Sequence, residues 1–563
     1  MSADHDYHLS NKIYQRGTMI AFCLKHLGFR SFLLLLIMTS LLKAENSWRK
    51  ISYPYLTIIS KASDNEIKGL AKQFMVFVIM MKEVVPVDTR MLPPLTIVLF
   101  DKNSELTTYK PVKPNGKTAR WVGGFFCSFD TWSIIGMPTN FDNAETHRTI
   151  FHEGVHWYLS AAHKKYPLWF EEGMAEVFST FEYNRDKISW GHTNDDYINW
   201  LTDETPQPID VFINIQRDDK IFNSDYPAGK YYAEAWAFVH YLLFNNTDGS
   251  FPKTKKIRDS LQTINIQKTF SDLTSEQLAQ IETEFRSYIM RGSISHSEQK
   301  DVSITDTTNL IVTASELDVQ TALAQLSIGA QKFTMARSIA ETLIKKYPES
   351  PNGYDLLSFI NQKDLQLDSV RIYAEKAVAA GSKNDQTYFF LANTRWNDSI
   401  AMTPDKAREI ADLYKKSIAN YPYYRSAYSN LSRILFNTRD KCNKDDLFVL
   451  KRAREIFPDE PEILLGNAIV LRFTGEKNDV YSLIKQAQNL TIPLSDEGGK
   501  FAEVIQTDFL TSDISAKINS LLSKNNVTAA IALLDELIKK DEYPFLKTRF
   551  ISWKNDLIQL KKR

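Results

Sequence analysis

The chain has 563 residues, too many for one hydrophobic core, so two or three domains are expected. Its 68 Lys and Arg balance 68 Asp and Glu, and nothing in that balance draws it to nucleic acid or an anionic membrane surface. Three cysteines exclude a disulfide framework, while 43% hydrophobic and 24% charged residues are ordinary for globular protein.

Near the amino terminus the apolar run Phe32–Leu42 follows Lys25, His26 and Arg30. It is short of the roughly 20 residues that span a bilayer. A basic stretch, a short apolar stretch and Lys43-Ala44-Glu45 predict a signal peptide or N-terminal anchor over residues 1–44, with cleavage near Ala44 and Met19 as an alternative start. The expected address is exported, periplasmic or extracellular. An uncleaved segment would instead tie the chain to a membrane.

Residues 48–140 read as a small α/β unit. Tyr55–Ile59 is a β-branched strand, Asn65 to Lys82 a helix, and Leu95–Phe100 a second strand, since Pro93-Pro94 blocks a helix there. Gly123–Phe129 and Ser133–Met137 are two more strands around a hairpin at Asp130-Thr131-Trp132. A helix then opens near Asn143, where Asn143 or Asp142 can cap it.

That helix carries His152-Glu153-Gly154-Val155-His156. Histidines four apart share one helix face and can reach one Zn²⁺, and the glutamate beside the first can take a proton from metal-bound water. A catalytic zinc wants three protein ligands and an open position. The segment Trp169-Phe-Glu-Glu-Gly-Met-Ala-Glu176 supplies a carboxylate on the next helix. Glu172 is the preferred third ligand because Glu176 lies one turn on and can hold the far N–H of His152; Glu171 competes with it. Gly154 implies close approach of the metal or of a neighbouring helix. Trp157, Tyr158, Trp169 and Phe170 are read mostly as core packing.

These blocks resemble the gluzincin zinc metallopeptidases, in particular the peptidase MA-like branch often joined to tetratricopeptide (TPR) repeats. The likeness covers about 48–292 and implies an α+β zincin-like catalytic domain with one Zn²⁺ per chain, held by His152, His156 and Glu172, with Glu153 as general base. Tyr231-Tyr-Ala-Glu-Ala-Trp-Ala-Phe-Val-His-Tyr-Leu242 resembles the gluzincin helix whose tyrosine stabilises the oxyanion, implying Tyr232, with Tyr231 beside it. The resemblance also implies an edge strand that holds substrate, for which Gly123 and Gly124 are the candidates. The acid with which aminopeptidases of this family capture a free amine is missing from Trp121–Ser128, so endopeptidase action is expected.

The remaining histidines carry other expectations. His147 faces away from the metal pair, His163 is a solvated helix end, His240 a satisfied core residue, and His192 a group that could reach the cleft. Cys127 and Cys442 are read as free thiols.

After Arg291 the composition turns polar, and 293–315 reads as a linker closing the 45–292 domain. From 316 to 563 the chain reads as a TPR-like α-helical repeat domain. The endings Tyr347-Pro348, Tyr421-Pro422 and Phe457-Pro458 recur, and Leu343, Ala377 and Ala453 occupy equivalent places. A solenoid of this kind offers a concave face to a peptide or protein partner. The expected function is hydrolysis of peptide bonds in a peptide or protein substrate. The alternative is an inactive zinc-binding scaffold that mediates protein–protein interaction.

Overall fold

Alternation along short apolar runs builds a sheet with two buried faces. The computed structural model describes residues 48–562 apart from 112–123, 140–143, 162–165, 186, 205, 218, 220–224, 246–269, 271, 292–293, 301–309, 398–400, 459, 476–478, 491–495, 541–542 and 544–545. The signal or anchor segment, Gly123, the helix cap at Asp142 or Asn143, and His163 therefore lie outside the described residues. Among the described residues no helix is long and apolar enough to cross a membrane.

Strands β1 (Arg49–Ser52), β2 (Leu56–Ser60), β3 (Leu95–Phe100), β4 (Phe125–Ser128) and β5 (Ser133–Pro138) join a sixth strand from much later in the chain. The order across the sheet is β4-β5-β3-β2-β1 and then that late strand. The β2–β3 and β3–β5 pairs are parallel, and β4–β5 is an antiparallel hairpin with Phe125 opposite Gly136. Along β3, Leu95, Ile97 and Leu99 enter one core, and Val98 and Phe100 enter the other. This is the period of two on which a strand buried on both sides depends.

Helix α1 (Asp64–Val84) opens on a capping box between Ser63 and Glu66. It buries Phe74 and Phe77 against Phe151 of α2 (Ala144–Ser160). Gly154 of α2 sits where a Cβ would lie 3.2 Å from both Phe74 and Phe77, so the neighbouring helix accounts for this glycine. Trp157 and Tyr158 are fully buried and donate to the carbonyls of Pro93 and Val85. After α3 (Leu168–Phe178), the strands β6 (Glu182–Asn184) and β7 (Lys187–Trp190) form a small second sheet. Then come α4 (Asp195–Asp203), α5 (Asp225–Phe244) and α6 (Ser275–Ile289).

The expectation of a linker over 293–315 is corrected at its described residues, 294–300 and 310–315; the rest lies outside the described residues. Strand β8 (Ser297–Gln299) pairs with β7, and β9 (Val312–Thr313) is the late strand that pairs with β1. The boundary at 316 is corrected too, because α7 (Glu316–Gly329) covers the second face of the sheet. Its Val319, Leu323 and Leu326 pack with Val98, Phe100, Phe125 and Ile134, and Lys50 pairs with Asp318 at 2.6 Å. Burial of that apolar face is worth more than the local polarity that suggested a linker. Helix α8 (Phe333–Lys346) packs on α7 and ends the first compact unit, residues 1–346.

The second unit, 347–563, is an α-helical array. Helix pairs open at Asn352, Asp385, Arg425 and Pro461, a recurrence of about 36 residues near the 34-residue TPR period. Each helix packs on its neighbour in sequence order. Small residues make the close contacts: Ala374, Ala377, Ala407, Ala411 and Ala453 are fully buried. The buried Asp355 accepts from Ser382 Oγ and Thr387 Oγ1, both at 2.7 Å, tying one pair to the next. The helices Asp496–Leu522, Val527–Lys540 and Lys547–Lys562 close on their own core around Leu534 and Phe550.

Candidate metal centre

Helices α2 and α3 pack against each other, and their facing sides bring three donor atoms together. His152 Nε2 and His156 Nε2 are 3.3 Å apart. Glu172 Oε2 lies 3.7 Å from the first and 3.4 Å from the second. Around one tetrahedral ion with bonds near 2.0–2.2 Å, ligand atoms stand roughly 3.3–3.6 Å apart. The triangle has the size such an ion needs, and these three residues form the one group of this kind among the described residues.

The tautomers agree with that reading. His152 Nδ1 is 3.2 Å from Glu176 Oε1. A carboxylate only accepts, so Nδ1 keeps its proton toward Glu176 and Nε2 is the nitrogen turned to the triangle. Burial opposes a charge on His152, but the Glu176 hydrogen bond and charge, followed by Glu153 and Glu172, outweigh it and push its pKa up to about 9. A metal would displace the Nε2 proton on binding and leave the Nδ1 proton with Glu176.

Glu172, not Glu171, is the carboxylate at the centre. It is 2% exposed. Burial works against its ionisation, yet the His156 hydrogen bond and the charges of His156, His152 and Arg217 hold its carboxyl below the ordinary value. Glu171 lines the cavity beside the triangle and accepts from Arg217 at 3.0 Å.

A cavity of about 370 Å³ opens over the triangle, lined by Phe126, Glu153, Leu159, Ser160, Arg217 and Tyr232 among others. That size is usual for a ligand site. Glu153 stands on its wall, where burial pushes its carboxyl above the ordinary value in spite of the two imidazoles. Of the two tyrosines, Tyr232 lines the cavity, with its ring 6.4 Å from that of His152. Tyr231 is 1% exposed and packs on Phe212 in the core. Burial raises the Tyr232 phenol, so it stays protonated and can donate.

Tyr232 reaches the site because α5 lies against α3 at Gly173. A Cβ there would overlap the Ala235 carbonyl and come within 2.5 Å of Val239 Cγ2.

Gly124, a candidate for holding substrate, is not part of the cavity lining. It is buried, with its Cα side against Gly136, Met137 and Thr149, and the cavity wall on this strand is Phe126. His147 bonds Gln73 on α1, and His240 is held between Tyr288 and Gly191 in the core, both as expected. His192 stacks on His296 and is not part of the cavity lining. Cys127 and Cys442 are free thiols.

Sequence reasoning missed Arg217, Phe126, Leu159 and Ser160. Leu159 and Ser160 lie three and four residues past His156 and share its helix face, a signal that was available. Arg217 sits in a polar loop with nothing local to mark it.

Residues 145–260, which hold the HExxH helix, Glu172 and Tyr232, match a family model described as "Protein of unknown function (DUF1570)". A search of curated proteins gives no match. Among solved structures the chain is similar to YrrB, a TPR protein with an unusual peptide-binding site, at 10% identity over 33% of this chain and 90% of that one, TM-score 0.27. It is similar to TTC0263, a thermophilic TPR protein of Thermus thermophilus, at 15% identity over 34% and 99%, TM-score 0.21. A third is PilW, a type IV pilus biogenesis factor, at 16% identity over 41% and 96%, TM-score 0.22.

Proposed function

We propose that this protein is a zinc-dependent peptidase of gluzincin type, an endopeptidase, exported and carrying a TPR-like array for a peptide or protein partner. One observation carries the proposal: two imidazole nitrogens and one buried carboxylate oxygen converge at 3.3–3.7 Å under a cavity whose wall holds Glu153 and Tyr232.

His152, His156 and Glu172 would hold the zinc, a donor set that leaves one coordination position open. Bound there, zinc supplies Lewis acidity that makes a water nucleophilic near neutral pH. Glu153 accepts the proton of the attacking water and delivers it to the departing amine. Its upward shift moves its basicity toward neutral pH, where a general base works best. Tyr232 donates its O–H to the carbonyl oxygen as negative charge gathers on it. Glu176 keeps His152 in the tautomer and orientation that the site requires. Phe126 and Leu159 give the cavity an apolar wall against bulk water.

The substrate backbone would lie extended beside β4. That strand pairs with β5 on one side and, among the described residues, is the last strand of its sheet on the other, an arrangement that accepts a peptide as an added strand.

The deciding experiment compares the native chain with Glu153→Gln for zinc content and for cleavage of an unfolded protein. Stoichiometric zinc in both, with cleavage by the native chain alone, is expected. Native-rate cleavage by the variant would remove Glu153 from the mechanism. Zinc in both and cleavage by neither would favour a zinc-holding scaffold.

A further inference from the structure

The two oxygens of Glu172 have different tasks. Oε2 faces the histidines, at 3.4 Å from His156 and 3.7 Å from His152. Oε1 lies 3.2 Å from Arg217 Nη2. The same nitrogen donates to Glu171 Oε2 at 3.0 Å. Arg217 belongs to neither ligand helix. It comes from the turn that follows the short helix Ile209–Phe212, so only the tertiary fold brings it to the site.

A terminal carboxylate torsion is broad and nearly two-fold, and a ligand glutamate left to itself samples many orientations. Anchoring one oxygen to a planar guanidinium fixes the other. Glu171 balances the positive charge of Arg217, so the anchor brings little repulsion toward a cation beyond Glu172. The side chain of Glu172 is 3% exposed, which limits solvent access to it, whereas that of Arg217 is 58% exposed and is not needed for the core.

We propose that Arg217 is a positioning residue for the metal centre: it locks Glu172 with one oxygen turned between the two imidazoles, and Glu171 locks Arg217. The inference rests on the reading of His152, His156 and Glu172 as zinc ligands.

The test is the zinc dissociation constant of the full chain, measured by competition with a chromogenic chelator. It is run on the native chain, Arg217→Ala, Arg217→Lys and Glu171→Gln, with apo-protein melting as the control for folding. Outer-sphere partners of a metal ligand typically contribute about 10–100-fold in affinity, and a loss of that order is expected for Arg217→Ala. Arg217→Lys, which keeps the charge on a more flexible stem, should recover part of it. Glu171→Gln should lose a few-fold, and millimolar guanidinium should restore affinity to Arg217→Ala alone. A native dissociation constant in Arg217→Ala overturns the proposal and leaves the zinc reading standing. So does a raised KM with unchanged zinc affinity, which would mark a contact to substrate. If Arg217→Ala does not fold, Arg217→Lys with native affinity and no response in Glu171→Gln overturns it equally. A native chain that binds no zinc removes both the inference and the zinc reading.

Discussion

At the scale of single residues, the site works by dividing tasks between neighbours of the same chemical type. Glu171, Glu172 and Glu176 lie on one helix, yet one holds an arginine, one joins the ligand triangle and one orients His152. On the proposed zinc reading Glu172→Ala should lose the metal, while Glu171→Ala should keep most of it. Zinc measured by atomic emission after gel filtration separates the two, and equal zinc in both proteins would contradict the assignment. His240 supplies a prediction of another kind. Burial lowers its pKa to about 4 from the ordinary 6.5, against the partial help of its bond to Gly191. The folded chain thus binds fewer protons there than the unfolded chain between those values, and stability is lost as pH falls from about 6.5 to about 4. The full loss corresponds to about 3 kcal/mol. Glu234 opposes it, since burial raises its pKa to about 7 and its contribution is lost as pH rises through that value. Net acid sensitivity alone would blur the two. The stability gap between the native chain and His240→Gln isolates the histidine, and it should shrink by about 3 kcal/mol between pH 7 and pH 4 in urea titrations.

At the scale of elements, two glycines in adjacent helices make opposite predictions. The Gly154 position faces the ring edges of Phe74 and Phe77 at 3.2 Å, side chains that can yield by a few tenths of an ångström. Gly154→Ala should be near neutral, because the gain of about 1 kcal/mol in helix propensity offsets the small repacking. Gly173 faces the backbone carbonyl of Ala235, which has nowhere to move without shifting α5. Gly173→Ala should cost about 1–3 kcal/mol of stability as overpacking. On the proposed mechanism it should also weaken peptide hydrolysis, because Tyr232 rides on the displaced helix. Urea midpoints of the two variants, measured side by side, check this; the reverse order would show that α3 and α5 are not pressed together at Gly173.

At the scale of the whole molecule, the sheet is completed from both ends of the first unit. Strand β9 pairs with β1 and α7 covers Val98, Phe100 and Ile134, although these segments lie far apart in sequence. A chain ended at residue 292 should expose that apolar face and precipitate, and one ended at 346 should stay soluble and hold zinc. Solubility after expression and zinc content of the two truncations decide it. A soluble, zinc-bearing 292-residue chain would mean that α7 is dispensable to the sheet. For the helical array, small fully buried residues on the second helix of successive pairs, Ala374, Ala407 and Ala453, are the packing device.

The local geometry of the candidate site was legible in the sequence. Helical spacing places His152 and His156 on one face and Glu172 with Glu176 on another, and period-two alternation marks Leu95–Phe100 as a strand, because both patterns depend only on the geometry of a few consecutive residues. The proline-punctuated recurrence after 346 was legible for the same reason. The tertiary structure alone decided which of Tyr231 and Tyr232 faces the cavity, that Gly124 packs in the core, that Arg217 reaches Glu172, and that α7 belongs to the sheet. Each of these joins residues far apart in the chain through burial or a close approach of backbones, and such contacts leave no periodic trace in the sequence.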